Sequence, residues 1–200
     1  MIHAVFPTLI HEFKVDDFKT IKDEILYFAY KEREKDPTGN IITNRGGWQS
    51  HSYYCYDNIL FNTIQLSIVN YLKTNKIFKE TIALEIDALW MNINNKGDYN
   101  LKHNHPCCDW VGCFYINTFE GCGGISFESP NAHIQGKELV ACNDYISKQL
   151  NFYSTFKWDQ PEEGTIFLFP SHLYHHVQEN KVGNDRISAS FNITLDWIRE

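Results

Sequence analysis

RISASFNITLDW, residues 186–197, decides the fold. Ile187, Ala189, Phe191, Ile193, Leu195 and Trp197 fall on one side of an extended chain, and Arg186, Ser188, Ser190, Asn192 and Thr194 on the other. A period of two marks a β-strand, because successive side chains project to opposite faces. One face meets an apolar core. The polar face has two readings, both open at this point: a solvated exterior, or the lining of a polar pocket inside a barrel.

The same period runs from Ile82 to Trp90, through Leu84, Ile86 and Ala88. Further strand candidates are 110–119, 124–128, 149–158 and 164–169. Short strands separated by turn residues, in a chain that is 15% aromatic, imply an antiparallel sandwich or barrel. Toward the N-terminus the period lengthens. Phe18, Ile21, Ile25 and Phe28 share one face of a helix expected over 16–34, with Asp16 or Asp17 as N-cap. Phe61, Ile64, Ile68 and Leu72 do the same over 57–75 behind Asp57 or Asn58. The chain therefore reads as mainly β with N-terminal helices. No repeat or linker divides it, so one domain is expected over 1–200, a helical buttress in 1–80 and a strand-rich core in 81–200.

A formal charge of −7 argues against a broad hold on nucleic acid or anionic membrane, which needs a basic surface. No run of about 18 apolar residues is present to span a bilayer. The start, MIHAVFPTLIHEF, lacks the basic-then-apolar order of a secretion signal, so a cytoplasmic protein is expected. In that setting the six cysteines (55, 107, 108, 113, 122 and 142) are expected to be reduced thiols.

Chemistry concentrates in the second half. His103 and His105, in HNHPCCDW, project to one side of an extended segment, so H-x-H can present two imidazoles to one metal ion. The neighbouring Cys107 and Cys108 raise a zinc reading, but structural zinc sites separate their cysteine ligands so that four donors converge, and adjacent cysteines converge poorly. A distant third imidazole is available among His172, His175 and His176. Non-haem Fe(II) oxygenases hold their metal on one face with histidines and a carboxylate, leaving other positions open. Arg186, opening the last strand, suits a dicarboxylic acid such as 2-oxoglutarate, because a guanidinium fork grips a carboxylate with two hydrogen bonds.

With these residues in place, the chain resembles the 2-oxoglutarate- and Fe(II)-dependent oxygenases, and within them a prolyl-hydroxylase-like branch frequent in marine bacteria and their phages. The resemblance runs through VFPTLIHEFKV (5–15), TNRGGWQS (43–50), MNINNKGDYNLKHNHP (91–106), VGCFYIN (111–117), EEGTIFLFPSHLYHHV (162–177) and RISASFNI (186–193). It implies a double-stranded β-helix, the cupin-like jelly roll, over 81–200. His103 and His175 are implied as Fe(II) ligands, and Arg186 with Ser188 as the partners of the far carboxylate of 2-oxoglutarate. Position 105 departs from the pattern, since the family places a carboxylate there. His105 as a third nitrogen ligand, Asp109 reaching in from the loop, or water completing a two-histidine site all remain; His105 is favoured, and Asp109 can instead orient an imidazole.

Gln49, Asn92 and Tyr115 are further candidates for hydrogen bonds to 2-oxoglutarate. Trp48, Trp110 and Tyr174 are candidates for the mouth of the site. The activity implied is oxidation of an unactivated C–H bond, by default hydroxylation, with dioxygen as cosubstrate and a peptide or small molecule as substrate. Two alternatives stand beside it: a cupin-type metal enzyme without 2-oxoglutarate, and a non-catalytic jelly roll that binds a sugar or peptide.

Overall fold

The computed structural model describes residues 7–53, 58–130 and 155–198. Eleven strands and two helices follow in the order β1 (His11–Lys14), α1 (Phe18–Lys35), β2 (Asn44–Arg45), β3 (Trp48–Gln49), α2 (Ile59–Thr74), β4 (Ile82–Asn94), β5 (Tyr99–His103), β6 (Trp110–Asn117), β7 (Ile125–Glu128), β8 (Thr155–Trp158), β9 (Thr165–Pro170), β10 (His175–Val177) and β11 (Arg186–Trp197). They form a six-stranded sheet, β1-β9-β6-β11-β4-β3, and a five-stranded sheet, β2-β5-β10-β7-β8. All pairings are antiparallel. This is the double-stranded β-helix, mainly β with N-terminal helices.

Both faces of β11 are accounted for. Ile187, Ala189, Phe191 and Ile193 are fully buried in a cluster with Ile25, Ala29, Leu60, Ile64 and Ile68 of the two helices. The polar face, with Ser188, Ser190 and Asn192, lines a cavity between the sheets. The helices therefore cover one side of the larger sheet, and the polar alternation of β11 is a pocket lining. Cavity formation at Phe191, truncated to Ala, would cost about 3–5 kcal/mol at such a site. Opposite Phe191 in the β6 register stands Gly112, and a Cβ there would collide with the Phe191 ring. Glycine in mid-strand is otherwise unfavourable, so its place is explained by the ring it admits.

Both predicted helices are present. At α2, Asn58 is the N-cap and its side chain accepts a hydrogen bond from the Phe61 N–H at 2.8 Å; Asp57 lies outside the described residues. At α1, Asp17 sits at the cap position with φ 49° and makes no side-chain cap, and its carbonyl accepts from Thr20 instead. The strand expected over 149–158 is described from Thr155 onward, and residues 149–154 lie outside the described set, as do Cys55 and Cys142. Cys107, Cys108, Cys113 and Cys122 are free thiols.

Two aromatics expected at the mouth are elsewhere. Trp48 is buried against the helices with its indole N–H donating to the Asp36 carbonyl at 2.7 Å. Trp110 packs on the same core and stacks on His11. Their large apolar rings gain more from burial than from solvent, which periodicity near a loop does not reveal. Tyr174 is exposed.

Candidate metal and cosubstrate site

His103 ends β5 and His175 opens β10, and the two are direct register partners. His105 lies two residues past the strand, in a segment anchored by its backbone N–H, which donates to the Ser171 carbonyl at 3.0 Å. One ligand-capable atom from each of the three lies within 4.8 Å of the others. The ring centroids are 4.3 Å apart for His103 and His175, 5.0 Å for His103 and His105, and 5.3 Å for His105 and His175.

Each ring has its Nδ1 against an acceptor. His103 Nδ1 faces the Leu101 carbonyl at 2.7 Å, His175 Nδ1 the Leu173 carbonyl at 3.0 Å, and His105 Nδ1 the Asn192 side-chain oxygen at 2.8 Å. A carbonyl oxygen only accepts, so the proton sits on Nδ1 and the Nε2 lone pair is left free. Nε2 of His105 is buried with no hydrogen-bond partner among the described residues. Burial also opposes the imidazolium form. It takes His175 down to about 3 and His105 to about 4, and it lowers His103, with the other imidazoles adding to the depression in His175 and His105. Three neutral nitrogen donors facing one point are a fit for a divalent transition metal, and imidazole suits Fe(II).

Asp109 is placed otherwise. Its carboxylate accepts from the Leu195 N–H at 2.8 Å, it is exposed, and it stands apart from the histidine cluster. Its backbone is tied to the Ile193 carbonyl and the Ser171 N–H.

Beside the histidines the cavity has a volume of about 330 Å³. A single row crosses its wall in register: Gln49 on β3 opposes Asn92 on β4, Asn92 opposes Ser188 on β11, and Ser188 opposes Tyr115 on β6. Gly46 and Gly47, with φ 74° and 33°, turn the chain into β3 and so bring Gln49 to that row. Gln49, Asn92 and Ser188 line the cavity; Tyr115 and Arg186 are fully buried beyond its lining. Arg186 Nη1 donates to the carbonyls of Cys122 (2.8 Å), Gln178 (2.9 Å) and Gly123 (3.3 Å). Its Nε and Nη2, and the Tyr115 hydroxyl, have no hydrogen-bond partner among the described residues. Burial lowers the Arg186 pKa and raises that of Tyr115 well above the usual phenol range, so Tyr115 is a neutral O–H donor. No carboxylate among the described residues forms an ion pair with Arg186. A buried cation with unused donors is costly until an anion meets it.

Sequence reasoning missed Asn192 as the partner of His105, and Trp90, whose ring lies nearly parallel to His105 at 5.9 Å. Asn192 faces the cavity by the alternation legible in β11, but Trp90 does not follow from that of β4: a bulge at Asp87 reverses the phase, so Ile86 stays in the core with Leu89, Met91 and Ile93 while Ala88 and Trp90, expected on the same face as Ile86, line the cavity. Which imidazole Asn192 would meet depends on a contact between residues 87 apart in the chain.

Comparison with known proteins follows the same lines. No curated protein matches the chain. Among solved structures it is similar to the viral collagen prolyl hydroxylase of Paramecium Bursaria Chlorella virus-1 in its 2OG complex, at 15% identity and TM-score 0.58, over 92% of this chain and 94% of that one. It is similar to a Pseudomonas putida prolyl-4-hydroxylase at 12% identity and TM-score 0.60, over 92% of both chains. A third similar fold is HygX of Streptomyces hygroscopicus with nickel and 2-oxoglutarate bound, at 9% identity and TM-score 0.57, over 94% and 82%. At such identities these likenesses speak to the fold. The family model described as "Putative 2OG-Fe(II) oxygenase" matches residues 88–192, just over half the chain, a span holding all three histidines and Arg186. The chain belongs to the 2-oxoglutarate- and Fe(II)-dependent oxygenases, a family that works with Fe(II), 2-oxoglutarate and dioxygen.

Proposed function

We propose that the protein is a hydroxylase in which His103, His105 and His175 hold Fe(II) through Nε2. Arg186, Ser188 and Tyr115 take the far carboxylate of 2-oxoglutarate, with Gln49 and Asn92 along its length. The observation that carries this reading is the convergence of three neutral, Nδ1-protonated imidazoles beside a buried arginine with unused donors. Fe(II) held there would activate dioxygen, the oxidant, whose two oxygen atoms would go one to 2-oxoglutarate, giving succinate and carbon dioxide, and one to the substrate, replacing C–H by C–OH. The chain's own part is placement. The two strand-end histidines and His105 fix one face of the metal; Arg186 and Tyr115 donate to an anion and neutralise it in a dry environment where such bonds are strong. Asp109 serves as a fold anchor in this reading.

The substrate class follows from the lining. Among the described residues it contains no Asp, Glu, Lys or Arg; its polar members are amides, hydroxyls, the thiols of Cys107 and Cys113, the Trp90 indole and the three imidazoles, and exposed Ile42 and Pro106 mark the mouth. A charged group entering such a site loses water without gaining a counterion, so the reacting segment of the peptide or small molecule is uncharged. The likeness of fold to two prolyl hydroxylases supports testing proline peptides early. The deciding experiment is anaerobic loading with Fe(II), then addition of 2-oxoglutarate and oxygen, measuring succinate with and without uncharged and charged peptides, amino acids and sugars. Succinate formation that requires iron is expected, stimulated by an uncharged member of the panel. Stoichiometric iron binding with no succinate under any condition would refute the reading.

A further inference from the structure

Two of the three imidazoles are set by their own neighbourhood. His103 and His175 each use a backbone carbonyl two residues upstream to hold the Nδ1 proton. His105 relies on a side chain, Asn192, contributed by β11 of the other sheet. Asn192 keeps the alternation of Ser188 and Ser190 toward the cavity, while the facing strand β4 bulges at Asp87, between the partners of Asn192 and Ile193, and so turns Ala88 and Trp90 to the same side. Around the ring, Trp90 lies parallel on one side, and Nε2 is buried without a partner among the described residues. With the Asn192 oxygen accepting, the proton is on Nδ1 and Nε2 is a lone pair. If the amide were reversed, its NH₂ would meet Nδ1 and force the proton onto a buried Nε2 that has no acceptor among the described residues, leaving a buried donor unsatisfied. The oxygen-in arrangement wins.

We propose that Asn192 is the positioning residue that makes a histidine serviceable at position 105, by fixing its tautomer and ring orientation so that Nε2 is the third nitrogen of the metal centre. This rests on the reading of His103, His105 and His175 as metal ligands. A carboxylate at 105, as the family pattern has it, offers two equivalent oxygens and no tautomer, and needs no such partner. Histidine there does. The exchange of carboxylate for imidazole is thus matched by one amide on the last strand, and positions 105 and 192 are energetically coupled.

The test compares Asn192→Leu, which removes the acceptor at similar volume, with Asn192→Asp, which keeps it. Fe(II) is titrated anaerobically into the full-length protein, and the metal-free protein is read by nitrogen-15 histidine NMR. Wild type is expected to bind one Fe(II), Asn192→Leu about 10–100-fold more weakly, and Asn192→Asp within a few-fold of wild type. In Asn192→Leu the His105 Nδ1–H signal is lost while those of His103 and His175 persist. In His105→Ala and His105→Asp backgrounds, adding Asn192→Leu is expected to weaken Fe(II) no further, which a general structural role would not produce. Asn192→Ala supplies the same readouts should the leucine variant misfold. Wild-type-like affinity and an intact His105 signal in the folded Asn192 variants, or equal weakening in the His105→Ala background, would overturn the proposal. Absence of Fe(II) binding by wild type, or affinity untouched by His175→Ala and His105→Ala, would instead sink the ligand reading, and this proposal with it.

Discussion

The two ends of the cavity contrast in how their polar groups are satisfied. At the histidine end every Nδ1 has an acceptor, and what remains open is a set of lone pairs. At the Arg186 end Nη1 is saturated by three carbonyls, and what remains open is a set of donors: Nε, Nη2 and the Tyr115 hydroxyl. Unused lone pairs call for a cation and unused buried donors for an anion. A molecule that is both a chelator and a remote carboxylate meets both needs at once, which is why the geometry supports 2-oxoglutarate beside a metal better than either ligand alone. The difference also teaches where specificity is stored, since each end is rigid through bonds that point away from the ligand.

The strongest way to break the contrast is at the histidine end. His175→Ala removes a buried donor from the register pair with His103, and iron-dependent succinate release is expected to fall to background while secondary structure, checked by circular dichroism, persists. Retained activity would dissolve the proposed metal end. Next in size comes the other end. Arg186→Ala is expected to leave Fe(II) stoichiometry unchanged and to raise the 2-oxoglutarate concentration needed for half-maximal turnover at least about 30-fold, the equivalent of roughly 2 kcal/mol for losing one partner of a buried charge pair. If the variant loses iron and keeps its 2-oxoglutarate dependence, the two ends have been assigned the wrong way round.

Legibility in the sequence followed the same division. β11, long and alternating, announced both its faces, and α2 announced its apolar stripe, because packing against one continuous core imposes a period; β4 kept its expected phase only as far as Ile86, since the bulge at Asp87 turns Ala88 and Trp90 to the cavity. β10 has three residues and β2 and β3 have two each, too short for any period to register, yet they carry His175 and bring Gln49 to the wall. His103 and His175 came from the resemblance, whereas the choice of His105 over Asp109 rested on His105 lying two residues past His103 in an extended segment, while Asp109 lies beyond Pro106, where the direction of the chain cannot be read. What could not be seen was the Asn192 contact, because an ordering between sheets depends on the closure of the barrel and not on neighbours in the chain. Trp48 and Trp110 failed for the converse reason: residues next to loops looked peripheral, but the helices fold back over them.

A smaller effect separates the ends by pH. His175 and His105 take up a second proton only below about 3 and about 4, and burial also lowers His103. In the unfolded chain the same groups titrate near 6.5. Between these limits the unfolded state binds protons that the folded state refuses, so stability is full above about pH 6.5 and falls as pH drops toward 4. The loss is on the order of 1 kcal/mol per histidine per pH unit in that window. Melting of chelator-treated protein between pH 7 and 5 should show it, and His175→Gln should show a shallower decline. Equal slopes in the two proteins would mean that acid stability is governed elsewhere, and that the histidine end is less dry than its burial indicates.

The least of the expected effects concerns Asp109, the carboxylate nearest to the histidines in sequence. Its side chain accepts one backbone N–H from Leu195, and that bond holds the loop carrying His105 against the end of β11. Asp109→Ala removes an acceptor at an exposed position, where the N–H can turn to water, so about 1 kcal/mol is at stake. For a chain of this length that is a fall of roughly 2–4 °C in melting temperature. Fe(II) affinity should stay within a few-fold of wild type, and Asp109→Asn, which retains an acceptor, should recover most of the lost stability. Loss of iron in both variants at near-normal melting temperature would put the carboxylate on the metal in place of His105, and the tautomer control by Asn192 would lose its purpose.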